Sequence, residues 1–187
     1  MGPAVTGPAR QHPGGPDGTR HVLIPGTEVG RQADVIELIL ADHRRIGRLA
    51  TVLSDTARYD DGPRPGWTLG HVWHRLADLL VAHTQAEEET CYQPGFGMGG
   101  QAAERIQDSL ADHDDIREII GDAAAQPVGS APWWRTVRTV MAVSAEHLER
   151  EERDVLPGFL PGLSSSRRME LGRRWCAFMA AWPPGPS

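Results

Sequence analysis

At 187 residues with a formal net charge of −6, the chain is long enough to bury one core without disulfide or metal staples and too short for a second domain of ordinary size. The acidic balance and the lack of any long basic run exclude nucleic acid and an anionic membrane surface as default partners. Cys91 and Cys176 form no CxxC pair, and the apolar run Val22-Leu23-Ile24 is too short for a signal-peptide core or a membrane span, so the expected location is the reducing cytoplasm.

In chain order, residues 1–32 are rich in Gly and Pro and read as a disordered tail. Four segments with helical spacing follow, separated by the breaker clusters 60–66, 94–100 and 126–132 and closed by PGFLPG at 157–162. The first stripe carries Ile36, Ile39, Leu40, His43, Ile46, Ala50 and Leu53. The second carries Leu69, Val72, Leu76, Leu79, Leu80, His83 and Glu87. The third runs through Ile106, Leu110, His113, Ile116 and Ile120, and the fourth through Trp133, Val137, Val140, Ser144, His147 and Glu151. A fifth segment, from a serine cap at 164–166 to Trp182, has apolar residues on broad faces and is expected to pack across the bundle or against another subunit. No segment alternates as a strand would. The fold expected is all-α, an antiparallel up-down four-helix bundle over 33–160 with a C-terminal helix and tail over 161–187.

The bundle is written twice. LADHRRI at 40–46 returns as LADHDDI at 110–116, and His83-xxx-Glu87 returns as His147-xxx-Glu151, with PGF following each. Each half is therefore one helical hairpin that supplies a single core histidine from its first helix and a His-xxx-Glu pair from its second. Residues four apart lie about 40° apart around a helix, so each His and Glu of a pair point the same way. If the stripes meet at one level, four imidazoles and two carboxylates converge in an apolar interior. Buried carboxylates without a positive partner would cost several kcal/mol or take up protons, and metal cations remove that cost.

The inventory gives two metals two imidazoles each, with Glu87 and Glu151 free to bridge. No thiolate lies on the stripes and there is no HExxH, which disfavours structural zinc and a zinc protease; mixed imidazole and carboxylate donors suit iron, with manganese or zinc chemically possible. The Glu-x-x-His motif of ferritin-like bundles is absent, because Leu80 and Ser144 stand three residues before His83 and His147.

With His43, His83, Glu87, His113, His147 and Glu151 in this order on four helices, the sequence resembles the hemerythrin-like family, specifically its HHE cation-binding branch. That resemblance implies a non-heme di-iron centre in the bundle, with terminal histidines and bridging carboxylates and solvent oxygen. It also implies two departures from animal hemerythrins. Arg117 stands where they carry a second third-helix histidine, and the fourth-helix carboxylate is Glu151, with Glu152 as its alternative, where they carry an Asp five residues beyond the histidine. Each iron would keep an open position.

The function expected is binding or sensing of O2, peroxide or nitric oxide, or of iron status. A di-iron peroxidase or oxidase and a metal-stabilised interaction module stand as the alternatives, and no residue supplies a dedicated catalytic acid or base. No nucleic acid or membrane partner is expected, and the chain is read as a monomer or small homo-oligomer. His71 and His74 should face away from the site, and His12 and His21 belong to the tail. Asp42 and Asp112 project to the side of their neighbouring histidines and face solvent or a histidine on another helix. Trp73, Trp133 and Trp134 read as packing, the two cysteines as small core residues, and Glu88, Glu89, Glu149 and Glu152 as solvated charges.

Overall fold

The computed structural model describes residues 33–58, 66–92, 100–159 and 162–183, all helix, turn or short connection and without a strand among them. The tail expected over 1–32 and most of the breakers at 60–66 and 94–100 lie outside the described residues.

Helix α1 spans Val35–Arg58 and is capped by Asp34, whose Oδ1 accepts the Ile36 amide at 3.0 Å. Helix α2 spans Gly66–Glu87 and runs straight into a π-helical turn, Glu88–Tyr92. Helix α3 covers Gly100–Ala124. The chain then reverses through Gly129, whose φ of +81° suits glycine. Helix α4, Ala131–Arg150, starts on the Ser130 side chain, which accepts the Trp133 amide. A second π-helical turn, Glu151–Val155, follows α4 as the first follows α2. PGFLPG was expected to break the chain, yet a short helix over Leu156–Phe159 runs through Pro157 and Gly158. This short helix follows directly on the π-helical turn, so the helix runs without a break from α4 to Phe159. Helix α5, Ser165–Ala181, starts on Ser164 as its cap.

Two apolar clusters show the up-down arrangement. One joins the C-terminal half of α1 (Ile46, Leu53) to the N-terminal half of α2 (Trp73, Leu76), the end of α3 (Ala123) and the start of α4 (Trp133, Val137). The other joins the start of α1 (Val35, Ile39) to the end of the second segment (Ala86, Tyr92), the start of α3 (Ile106) and Val155. Consecutive helices therefore run antiparallel, and the histidine level lies between the two clusters. Trp73 and Trp133 meet edge to face at 5.8 Å in the first cluster and are buried, as expected of packing residues.

Helix α5 packs against α1 and α2, burying Leu171 and Trp175 in the second cluster. Gly172 makes that approach possible, since a Cβ there would stand 2.0 Å from the Ala33 carbonyl oxygen. No helix among the described residues is long and apolar enough to cross a membrane.

Candidate metal centre

The six residues singled out by spacing lie together at mid-bundle. His83, Glu87, His113 and Glu151 are fully buried, and His43 and His147 nearly so. They form two facing halves. On one side, the α1 and α2 histidines His43 and His83 meet with ring centroids 4.9 Å apart. On the other, His113 and His147 from α3 and α4 approach to 3.1 Å between their Nε2 atoms. Glu87 spans the halves, with Oε1 3.3 Å from His83 Nε2 and Oε2 3.4 Å from His113 Nε2. Glu151 reaches both halves with one oxygen: Oε2 is 3.2 Å from His43 Nε2 and 4.0 Å from His147 Nε2. Its other oxygen, Oε1, accepts the Tyr92 hydroxyl at 3.0 Å.

The donor atoms fall into two groups able to hold a cation, His43 with His83, Glu87 and Glu151, and Glu87 with His113 and His147. Several of the inward atoms lack any hydrogen-bond partner: His43 Nε2, His83 Nε2, both oxygens of Glu87 and Oε2 of Glu151. So many unsatisfied buried atoms aimed at one space are costly in a folded protein. Cations placed among them would satisfy the set, so the donors fit a metal centre.

Charge reinforces this. Burial drives the Glu87 carboxyl well above the ordinary carboxylate range, and the nearby Glu151 charge adds to it. Burial opposes the charge of Glu151 too, but attraction from the His43 imidazole 3.2 Å away outweighs it and holds that carboxyl low. Without a cation, burial and the facing Glu151 charge favour the protonated form of Glu87. Burial, together with the neighbouring His43, keeps the His83 imidazole neutral far below its ordinary value. His147 is lowered as well, first by burial. A neutral imidazole is the form that binds metal.

The outward nitrogens are held from outside, in a pattern that follows the repeat. Glu152 Oε1 lies 2.8 Å from His43 Nδ1, and its repeat counterpart Glu88 lies 2.9 Å from His113 Nδ1. Arg117 clamps Glu88 at 2.8 Å. Asp112 lies 3.1 Å from His147 Nδ1 and is clamped by Arg150 at 2.9 Å. Asp42, the counterpart of Asp112, does not do the same for His83. Trp175 stands beside Asp42 and lies edge-on to the His83 ring at 5.5 Å, and His83 Nδ1 is without a partner. The fifth helix thus breaks the two-fold symmetry.

One expectation is corrected here. Glu88 and Glu152 are not merely solvated charges, because each holds an imidazole; Glu89 and Glu149 are exposed. Glu151 is the carboxylate inside the cavity, and Glu152 lies outside it against His43. Tyr92, not singled out from the sequence, is buried and stacked on His113 at 5.6 Å with an interplanar angle of 16°. Burial, with the Glu151 charge beside it, keeps its hydroxyl protonated. His71 and His74 are exposed as expected. Neither cysteine is in a disulfide, and burial pushes the Cys91 thiol up to about 12, which leaves it an inert packing residue.

Fold and site together define a four-helix bundle with a cation centre at its core. The hemerythrin HHE cation-binding domain model matches residues 34–159, and the chain belongs to that family. No curated protein and no solved structure matches it.

Proposed function

We propose that the chain is a non-heme di-iron protein that binds or senses O2 or a related small oxidant such as peroxide or nitric oxide, with His43, His83, Glu87, His113, His147 and Glu151 as its metal ligands. The observation that carries this reading is Glu87, which offers one oxygen to each of two facing imidazole pairs. A thiolate-free set of imidazoles and carboxylates favours iron over structural zinc. Two ferrous ions, when bound, supply the pair of electrons that reduces a small oxidant.

The chain's own residues prepare the place. Glu87 fixes the spacing of the two positions. Glu152, Glu88 and Asp112 hold the Nδ1 atoms of His43, His113 and His147, which turns each Nε2 inward. Tyr92 occupies the outer oxygen of Glu151 and leaves the other to face the histidines. The two apolar clusters above and below keep bulk water from the level between them.

The test is iron content and spectrum. Protein reconstituted anaerobically with ferrous iron should hold two irons per chain and develop a visible charge-transfer band when O2 is admitted. Glu87→Ala should lose the iron while keeping its helical circular dichroism. Less than one iron per chain after careful reconstitution, or no colour, would sink the di-iron reading.

A further inference from the structure

The two copies of the repeat differ at one position beside the centre. One turn beyond His113, Arg117 extends along the groove between α2 and α3, reaching Thr84 Oγ1 at 3.4 Å and Glu88 at 2.8 Å. One turn beyond His43 stands Gly47, and a Cβ there would meet nothing within 4 Å. In the matching groove between α1 and α4 the chain leaves a pocket of about 340 Å³ that has His43 in its wall. Small residues from both helices face it, Gly47 and Ala50 from α1 and Ser144 and Ala145 from α4. Its apolar wall comes from Leu76, Leu80, Met141 and Leu148. The exposed charges Arg44, Glu149 and Glu152 stand among its lining residues.

Ser144 is the polar feature of this wall. It is 3 % exposed, and its hydroxyl has no hydrogen-bond partner. A buried hydroxyl left unpaired is costly, because nothing offsets its loss of water. Its repeat counterpart is Leu80, so the polar group occurs in the open copy alone. A concave, mainly apolar pocket of this size with a buried, unpaired hydroxyl in its wall and charges at its exposed side fits a small organic ligand.

We infer that the groove between α1 and α4 is a binding site for a small, uncharged, mainly apolar molecule carrying one hydroxyl, such as a phenol or a cyclic alcohol, with Gly47 admitting it and Ser144 bonding its hydroxyl. The apolar wall takes the ring. Arg117 fills the equivalent space in the other copy, so entry is one-sided. That the occupant would face the His43 half of a metal centre rests on the di-iron reading; the pocket itself does not.

Phenol titrated into the isotope-labelled full chain, followed by amide chemical shifts, tests this, with iron measured on the same samples. Shifts should centre on Gly47, Ala50, Ser144 and Ala145. Gly47→Arg, which copies the plugged half and should fold because its Cβ meets open space and Arg favours helix over Gly, should weaken binding at least tenfold. Gly121→Ala, outside the groove and with open space around its Cβ, should leave it unchanged. Ser144→Ala should weaken it about fivefold, the value of one hydrogen bond, and benzoate should bind more weakly than phenol. Undiminished binding in Gly47→Arg, scattered shifts, or benzoate binding as tightly as phenol would overturn the proposal. So would a concentration-dependent dimer that seats a second copy in the groove and is lost in Gly47→Arg. Phenol binding in protein that takes up no iron would defeat the di-iron reading alone, and full iron loading without phenol binding would defeat this inference alone.

Discussion

Asp112 holds His147 Nδ1 at 3.1 Å and is itself held by Arg150, so the imidazole is aimed before any metal arrives. Cutting Asp112 back to alanine leaves the six inward residues in place but frees the ring to rotate. Metal affinity should fall by about 10–100-fold, the usual effect of removing such a support, with helicity retained, as measured by competition against a chelator. An unchanged affinity would mean that packing alone orients His147. The six inward residues were legible because a core histidine on every bundle helix, with Glu at a fixed offset in the second helix of each repeat, has no bland explanation as a set. Asp112 was legible as one of two options, solvent or a neighbouring histidine. Glu88, Glu152 and Tyr92 were not. They sit in the two π-helical turns, where projection at 100° per residue no longer gives the direction of a side chain. Nothing in the local sequence says which flank a neighbouring helix will cover.

Helix α5 depends on close approach at Gly172. An added Cβ would lie 2.0 Å from the Ala33 carbonyl oxygen and 3.3 Å from the Val35 amide nitrogen, backbone atoms that cannot swing aside as a side chain can. Gly172→Ala should therefore push α5 off the start of α1 and destabilise the protein by about 1–3 kcal/mol, the ordinary cost of overpacking. Gly121→Ala in α3 is the control: its Cβ meets nothing within 4 Å, and alanine should gain about 0.5–1 kcal/mol over glycine in a helix interior. Urea midpoints for the two variants should move in opposite directions, and a neutral Gly172→Ala would show that α5 docks without this contact. At this scale the four bundle helices and the serine cap of α5 were readable from periodicity and breakers. The docking side of α5 was not, because its apolar residues are spread around the helix, and the site of closest approach is a glycine, which carries no hydrophobic signal. PGFLPG misled for a related reason. Proline and glycine mark a turn when read alone, but the helix already running through the π-helical turn carries on past Pro157 and Gly158 to Phe159.

For the whole molecule, metal loading and stability are linked through protons, and the sign differs from group to group. Glu87 is raised above its unfolded value of 4.5 by burial, so its contribution to stability is present in acid and is lost as pH rises toward its folded value. Burial opposes a proton on His43, but Glu151 and Glu152 together hold its pKa above the ordinary 6.5; its contribution, too, is present below 6.5 and lost above. His83 and His147 go the other way, lowered by burial from 6.5, so their contribution is present above that value and lost as the unfolded chain takes up protons in acid. A cation entering the site displaces the protons of Glu87 and His43 but finds His83 and His147 already neutral. Its affinity should therefore rise with pH by up to about tenfold per unit for each proton displaced, and the stabilisation it brings should rise with it. Melting temperatures taken with and without a fixed excess of metal should differ more at pH 8 than at pH 5. The difference should narrow in Glu87→Gln, which has no proton to lose at that carboxyl. A metal-induced gain that stays flat between those pH values, or is larger in acid, would mean that the cation does not reach the Glu87 carboxylate.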